Sequence, residues 1–354
     1  MRKLSKYVAI LMVCMIAVFT FGACASDPAP APEPADPGTE ADKPEEPAAP
    51  TFPEKEIRLI AAFGPGASGD MTARAIAQVA PDYLNGQPMI VENVDGAGGV
   101  VAASQTKDSK NDGYTILFAT SSLFTTQPMF NADIPFQQSD FDFIAPLAFA
   151  PFGVTINANN PATTLQEFLD TAKAEDRTVT FGCTGTNTGP HVLGAQIFEA
   201  AGVKYQHVPF KSGGDAIAGV LGDKIEMQIG PIADSLAHTQ AGTTRTLAYA
   251  ADERAAQLPD VPTLKEAGYD FTGLVRYFIV APVGIPEEAN KVLAEAFPKI
   301  MADPVVVKTL AEINIEIDNN DAAELVSWFE TTRKGFEPIV EAIKAAAAEA
   351  PPAN

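Results

Sequence analysis

Cysteine, histidine and tryptophan are scarce in this chain of 354 residues, which contains three cysteines, three histidines and one tryptophan. Cys14 and Cys24 stand near the N-terminus, so Cys183 is the single thiol in the rest of the sequence. This distribution excludes a disulfide framework and a site in which several thiolates hold a metal ion. The histidines are scattered without the spacing of metal ligands, and we expect no cofactor.

Basic residues are also few, because 24 lysines and arginines stand against 45 acidic residues and give a formal net charge of −21. Such a charge argues against nucleic acid or an anionic membrane surface as the partner. It does not exclude an anionic ligand, whose binding depends on the local field in a cleft. The sequence also lacks the Gly-x-Ser-x-Gly elbow of a secreted hydrolase, and we expect a protein that is not an enzyme.

The apolar run at the N-terminus, YVAILMVCMIAVFTF, falls short of the ~20 residues that a membrane span requires. Basic residues precede it and small residues follow, which is typical of a secretory signal over residues 1–23. Cys24 follows Gly-Ala, as in a bacterial lipobox. We therefore expect cleavage before Cys24 and a lipid on its thiol, which anchors the protein to the cell membrane on its outer side. Ordinary cleavage after Ala23 or Ala25, without a lipid, is the alternative.

Residues 24–51 form a tether rather than a domain. They include eight prolines, seven acidic residues and one lysine. Such a composition cannot bury a core and keeps the chain extended and self-repelling. At ~3.1 Å per residue in the polyproline conformation, the segment reaches roughly 80 Å. We therefore expect the fold to begin at Phe52.

Beyond Phe52, short β-rich runs alternate with helical stretches, which predicts an α/β fold. The first series is strand IRLIAAF, a helix over Asp70–Leu84, strand MIVEN, a DGAGG turn, helix VVAASQTK and strand TILFAT. The second series is strand TVTFG, a helix over Pro190–Ala201, strand YQHVPF, a KSGGD turn, helix AIAGVLG and strand EMQIG. The repeated order predicts two similar lobes.

Two stretches, near 143–157 and 270–284, are suited to cross between these lobes. Two crossings make the first lobe discontinuous, with residues 52–152 and 273–354, while the second lobe takes 153–272. C-terminal helices are predicted from Pro286, placed at the first helical position, and over the amphipathic segment from Asp321 to Glu349. Two lobes on two β-crossovers form a hinge around a cleft, which favours a binding protein that closes on its ligand.

The stretch FGPGASGD raises a choice between two kinds of site. Its glycines satisfy the Gly-x-Gly-x-x-Gly dinucleotide fingerprint, and Glu92 stands near the end of the next strand. A tight turn from strand to helix also leaves unpaired N–H groups at the positive end of the helix, which makes an anion site. We expect Gly66, Ala67 and Ser68 to contact an anionic ligand through the backbone. An exported protein has no access to cytosolic NAD, which disfavours the dinucleotide.

The second lobe repeats this loop without the fingerprint. Here the candidate ligand contacts are Thr184, Gly185, Thr186, Asn187 and Thr188, whose threonine hydroxyls add donors. Facing each other across the cleft, the two loops can hold a carboxylate through neutral donors.

Asp70 would repel such an anion, so its expected role is the N-cap of the first helix, partly neutralised by Arg74. Direct contact with the ligand is the alternative for Asp70. Among the remaining side chains, Cys183 has no neighbour in the sequence that suggests a nucleophile pair. We expect it to be a small buried or loop residue.

Several stretches together resemble one known family. They are IRLIAAFGPGASGDMTARAIAQ, PMIVENVDGAGGVVAA, DGYTILFATSS, HVPFKSGGDAIAGVLGDKIEM and LPDVPTLKEAGY, in this order. The chain resembles the Bug family, the solute receptors of tripartite tricarboxylate transporters, from about Pro53 to the C-terminal helices. The resemblance implies a two-lobed Venus-flytrap fold of the type II periplasmic-binding-protein kind. It also implies a small carboxylate ligand: a dicarboxylate or tricarboxylate, an amino acid or an aromatic acid.

The resemblance also implies partners and further site residues. The expected partners are the large and small membrane subunits of a tripartite transporter, and the receptor is expected to be a monomer. A ligand sensor that feeds a sensor kinase is the alternative function.

Ser121 and Ser122 resemble a further lining position, and Gly213 belongs to a turn that resembles the family's. Arg276 departs from the apolar or aromatic residue common in the family, and it either meets a second carboxylate or holds an acidic side chain of the protein. Tyr277 is either a wall of the site or a core residue.

Overall fold

The computed structural model describes residues 51–349. The predicted signal peptide over 1–23, the lipidation site Cys24 and all of the predicted tether except Thr51 lie outside these residues. Within the described part, the strands are β1 (Ile57–Ala61), β2 (Met89–Asn93), β3 (Thr115–Thr120), β4 (Phe141–Asn157), β5 (Val179–Thr184), β6 (Tyr205–Phe210), β7 (Met227–Pro231), β8 (Thr244–Tyr249), β9 (Leu274–Pro282) and β10 (Glu316–Ile317).

Ten α-helices accompany these strands in the described residues. They are α1 (Ser68–Tyr83), α2 (Val100–Lys107), α3 (Thr126–Phe130), α4 (Leu165–Ala174), α5 (Gly189–Ala201), α6 (Gly213–Leu221), α7 (Ile232–Gln240), α8 (Glu287–Met301), α9 (Pro304–Glu312) and α10 (Ala322–Glu349). The sequence predicted Pro286 as the first residue of α8. The helix begins at Glu287 instead, and Pro286 is its N-cap. Between residues 51 and 349, none of the helices combines the length and apolar character of a membrane span.

The strands form one mixed sheet in the order β2-β1-β3-β9-β4-β7-β5-β6, with β8 and β10 also paired to β4. β1 runs parallel to β2 and β3, and β5 runs parallel to β6 and β7. β9 is antiparallel to both β3 and β4. Two βα units with parallel strands therefore flank a central antiparallel pair, which explains the repeat seen in the sequence.

The long strand β4 changes partners along its 17 residues. Residues 141–151 pair with β9, whereas residues 152–157 pair with β7 and β8. At the change, Phe152 N donates to Gly273 O at 2.9 Å, and Gly273 N donates to Ala250 O at 2.8 Å. We call β1–β3, β9 and residues 141–151, with the loops and helices joined to them, the first half of the sheet and of the molecule. Strands β5–β8 and residues 152–157, with their loops and helices, are the second half. The predicted two-lobed α/β architecture is confirmed.

Aromatic packing joins the C-terminal helix to the first half. Phe329 of α10 and Phe278 of β9 are fully buried, with ring centroids 5.4 Å apart. Phe124, which follows β3, stacks on Phe329 at 5.7 Å. Full burial of each of these side chains is worth roughly 1.5–3 kcal/mol, so this cluster holds α10 against the sheet.

Candidate functional site

The first glycine loop joins β1 to α1. The helix starts at Ser68, with extended Ala67 as its N-cap and no side-chain cap. Gly66 has a φ of +80°, which glycine adopts without steric strain. Ser68 is buried, and its hydroxyl lies 3.0 Å from the hydroxyl of Tyr277. The N–H of Gly69 has no acceptor among the described residues, so the start of α1 keeps a donor for a ligand.

Asp70 is not the N-cap of α1, which corrects that expectation. Because the helix already begins at Ser68, Asp70 is its third residue. Its carboxylate instead accepts hydrogen bonds from Gly66 N at 2.9 Å, Arg74 Nε at 3.1 Å and Asn93 Nδ2 at 2.8 Å. Burial alone would raise the pKa of Asp70, but these hydrogen bonds and the Arg74 charge outweigh it and lower the pKa. Asp70 therefore stabilises the first glycine loop through its hydrogen bond with Gly66 N.

The second loop joins β5 to α5 and is held by the first half of the molecule. Gly185 and Asn187 have φ values of +72° and +61°. Thr126 donates its hydroxyl hydrogen to Asn187 O at 2.6 Å, and Gln127 Nε2 donates to Thr186 O at 2.8 Å. The carbonyl groups of Thr186 and Asn187 thus bond to the first half of the molecule. That these two residues also contact the ligand stays a prediction.

Two glycines meet where the halves approach each other. A Cβ atom on Gly185 would lie 2.7 Å from the Cα of Gly98, closer than real Cβ contacts allow. Gly98 belongs to the DGAGG turn after β2 and has a φ of +64°. Beside them, Gly189 N donates to the hydroxyl of Ser122 at 3.1 Å. The glycine turns thus let the two backbones come together without side chains between them.

A cavity of about 70 Å³ lies between the two loops. Both halves contribute to its wall, and so do residues that follow the carboxyl ends of β1, β3, β5 and β7. The lining residues are Ala62, Phe63, Ala67, Ser68, Gly69, Gly98, Thr120, Ser122, Phe152, Thr184, Thr188, Pro190, Pro231, Asp234, Val275 and Tyr277. This is the position at which open α/β sheets bind ligands.

The candidate residues from the sequence divide into two groups. Those that line the cavity are Ala67, Ser68, Ser122, Thr184 and Thr188. Those that lie outside its lining are Gly66, Asp70, Ser121, Gly185, Thr186, Asn187 and Arg276. In the second group, Ser121 accepts a hydrogen bond from the N–H of Arg276 in β9 at 3.1 Å.

The side chain of Arg276 is engaged away from the cavity. Its Nη1 lies 3.3 Å from Asp318 Oδ2, and the two side chains are only 14% and 1% exposed. The guanidinium also lies over the ring of Trp328, at 4.9 Å from the centroid. Of the two roles left open, the structure shows the second, a pairing with an acid of the protein. The neighbouring Tyr277 is both buried and part of the cavity wall.

Asp234 is the charged lining residue among those that the sequence did not indicate. It stands in the first turn of α7, and its Oδ1 accepts a hydrogen bond from Ser68 N at 2.9 Å, from the other half of the molecule. Burial raises the pKa of Asp234 to about 6, and hydrogen bonds from Ser68 limit the increase. The position after a strand was a usable signal, because the carboxyl ends of parallel strands meet at ligand sites.

Cys183 and two histidines form a packed cluster behind the second loop. The rings of His191 and His207 stack with centroids 4.0 Å apart, and Cys183 Sγ lies 3.1 Å from His207 Nε2. The sequence had given Cys183 no such neighbour. Burial raises the pKa of the thiol to about 12, so it stays protonated and is a poor nucleophile. No group of three histidine, cysteine or acidic residues between 51 and 349 is placed to hold a metal ion.

Comparison with known proteins agrees with this arrangement. Residues 65–345 match the model of the tripartite tricarboxylate transporter family receptors. The chain belongs to this family. The members of the receptor family are solute-binding proteins rather than enzymes.

One relative is the UPF0065 protein in the gbd 5′ region of Cupriavidus necator. It is 30% identical over 299 residues, 84% of this chain and 90% of the relative. A solved structure of a periplasmic transporter has 32% identity and a TM-score of 0.78, and the match covers 82% of this chain and 97% of the other. The structure of MatC from Rhodopseudomonas palustris with bound malate has 22% identity and a TM-score of 0.76, over 82% and 100% of the two chains.

Proposed function

We propose that this receptor is an extracytoplasmic lipoprotein, anchored through Cys24, that captures a small carboxylate between its two halves. It delivers the ligand to the large and small membrane subunits of a tripartite transporter. One observation carries the proposal: the start of α1 and the second loop line the same cavity from opposite sides. The membership of the receptor family supports it, as does the likeness to a structure that contains malate.

The cavity offers neutral donors for a carboxylate. The N–H of Gly69 and the hydroxyls of Thr120 and Thr184 have no hydrogen-bond partner within residues 51–349. The N–H of Gly69 lies at the start of α1, where the helix dipole supplies about half a positive charge. Hydrogen bonds to a charged group are worth about 1.5–3 kcal/mol each. Three such bonds account for a large part of the about −8 kcal/mol that micromolar affinity requires.

The size of the cavity limits the ligand. A cavity of about 70 Å³ is small beside the roughly 300–1,000 Å³ of common ligand sites. This favours a solute with few non-hydrogen atoms over a sugar or a peptide. The ligand enters when the two lobes separate by a hinge motion at the crossing strands. One lobe consists of residues 52–152 with 273–354, and the other of residues 153–272. Closure of the lobes then removes the carboxylate from water.

Thermal-shift screening and native mass spectrometry of the purified protein test this function. We expect at least one small carboxylate to raise the melting temperature, and a retained ligand to appear as a mass increment. Thr184→Val, which removes one free hydroxyl at nearly constant volume, should weaken that ligand about tenfold or more. Thr331→Val, at an exposed position of α10, is the control and should leave the affinity unchanged. A protein that responds only to neutral sugars would overturn the proposal.

The lipid anchor is tested independently of the ligand. Cells that express the chain with Cys24→Ser should release the protein from the membrane fraction, while the unchanged chain stays in it. Equal partition of both proteins would refute the anchor and leave the ligand proposal standing.

A further inference from the structure

The cavity has one charged side chain among its lining residues in the described part of the chain, and that charge is negative. Asp234 reaches the cavity from the first turn of α7, while no lysine or arginine lines it. A receptor for a plain dicarboxylate would place an acid there only at a cost, because like charges at close range repel in a medium of low dielectric constant. The acid therefore needs an explanation.

The protein makes specific room for this carboxylate. A Cβ atom on Gly213, the first residue of α6, would overlap Asp234 Oδ2. Asp234 Oδ1 accepts the hydrogen bond from Ser68 N at 2.9 Å. One oxygen is thus fixed by the first loop, and the residue is half-buried and lines the cavity. With a pKa of about 6, the carboxyl group is ionised at neutral pH.

A count of charges separates the classes of ligand. Helices α1, α5 and α7 all begin at the cavity, and each N-terminus supplies about half a positive charge. Together with Asp234 they leave the site at about +0.5. A dicarboxylate would bring it to about −1.5, whereas a zwitterion with one carboxylate and one ammonium group leaves it at about +0.5. The zwitterion is the better match.

Aromatic rings complete the surroundings of a positive group. Phe63 and Tyr277 line the cavity with ring centroids 6.2 Å apart, and Phe152 lines it from β4. The faces of such rings attract a cation, by about 0.5–1 kcal/mol at exposed sites and more when water is excluded. They also make the wall unsuitable for a second carboxylate, which would lose its hydration without gaining donors.

We propose that Asp234 binds a protonated amine of the ligand, so that this receptor selects a small zwitterionic amino acid over a dicarboxylate. This inference rests on the proposed function, since the carboxylate of the same amino acid is held by the donors at Gly69, Thr120 and Thr184. The Asp234 carboxylate accepts from the ammonium group, while its Oδ1 stays on Ser68 N.

Isothermal titration of the folded chain tests the inference. The probes are the small L-amino acids alanine, serine, threonine and valine, each paired with the 2-hydroxy acid in which a hydroxyl replaces the amine, together with malate and succinate. We expect at least one amino acid to bind tenfold or more tightly than its hydroxy acid and than either dicarboxylate. Asp234→Asn should reduce that ratio at least tenfold. Asp234→Ser, which removes the carboxyl group altogether, is the second variant and should do the same.

Each alternative outcome has a distinct meaning. If a hydroxy acid or dicarboxylate binds the unchanged protein as tightly as any amino acid does, the inference is wrong and the receptor remains a carboxylate receptor. If amino acids bind but neither substitution changes the ratio, Asp234 is not the selecting residue, and the inference is again wrong. If neutral sugars bind and no acid does, both the inference and the proposed function are wrong. The comparison of paired ligands on the unchanged protein does not depend on the folding of a variant.

Discussion

The N–H of Ser68 donates to Oδ1 of Asp234 at 2.9 Å, across 166 positions of the sequence. The donor lies in the first turn of α1 and the acceptor in the first turn of α7, so the bond joins the two halves at the wall of the cavity. The acid neutralises part of the positive end of α1. Any ligand that enters must fit beside this pair, and for this reason the pair defines what the site can bind.

The contact between Gly98 and Gly185 should control closure of the cleft. In Gly185→Ala the new methyl group would stand 2.7 Å from the Cα of Gly98, and backbone cannot move aside as a flexible side chain can. We expect ligand affinity, measured by titration calorimetry, to fall at least tenfold because the halves no longer meet.

The strain of a left-handed alanine, about 1–2 kcal/mol, needs its own control. Gly242 has a φ of +71°, close to that of Gly185, but no atom within 4 Å of its Cβ position. Gly242→Ala should therefore lose similar stability and keep full affinity. A Gly185→Ala protein that binds as well as the control would show that the glycine contact is not needed.

Arg276 should matter for stability and not for ligand choice. Replacing it with Met leaves Asp318 charged, 1% exposed and without its cation, which costs about 3 kcal/mol in comparable buried pairs. Urea unfolding should show this loss, and the double variant Arg276→Met, Asp318→Leu should recover most of it. The affinity ratio between a dicarboxylate and its monocarboxylate analogue should stay constant. A changed ratio would contradict this prediction and indicate that Arg276 contacts the ligand.

The stacked histidines should make the fold sensitive to acid. Burial lowers the pKa of His191 to about 4, and burial with the nearby His191 lowers that of His207 to about 3. Both titrate near 6.5 when unfolded, so the unfolded state binds more protons between pH 6.5 and about 4. The free energy of unfolding should therefore fall as the pH falls through this window. Asp234 acts in the opposite direction: its folded pKa of about 6 exceeds the unfolded value, so acidification through pH 6 favours the fold.

Urea unfolding at pH 7 and pH 5 measures the balance of these groups. Two histidines outweigh one aspartate, so we expect lower stability at pH 5. His207→Phe should reduce the difference between the two pH values, whereas His238→Phe, at an exposed position, should not. An equal effect of both substitutions would count against the buried pair as the cause.

Local sequence patterns predicted several elements with their full bounds. MIVEN, TILFAT and YQHVPF are β2, β3 and β6, and VVAASQTK is α2. These segments are bounded by turn residues, and in β3 local preference and burial agree, since five of its six residues are buried. Helices α4, α7 and α9 and strand β8 were not assigned, because they lie outside the repeated series on which the sequence interpretation was built.

Long-range partners were the part of the site that local patterns could not supply. Both loops line the cavity, as do five of the candidate residues, of which Ser122 lies after β3 and not in a loop. The partner of Ser68 lies in a helix that had not been assigned, and the partner of Arg276 stands after a two-residue strand. Such pairs depend on how the lobes pack, which a single sequence does not show. The hydrogen bonds that Thr186 and Asn187 accept from Gln127 and Thr126 could not be predicted either, because a polar loop has the same composition whether it binds a solute or the opposite lobe.

The most direct test of the central claim is a crystal structure of the receptor with a carboxylate that it binds in solution. We expect the ligand in the cavity between α1 and the second loop, with one carboxylate oxygen about 3 Å from Gly69 N and from the hydroxyl of Thr184. A ligand located outside this cavity, or inside it with its carboxylate turned away from both loops, would contradict the claim.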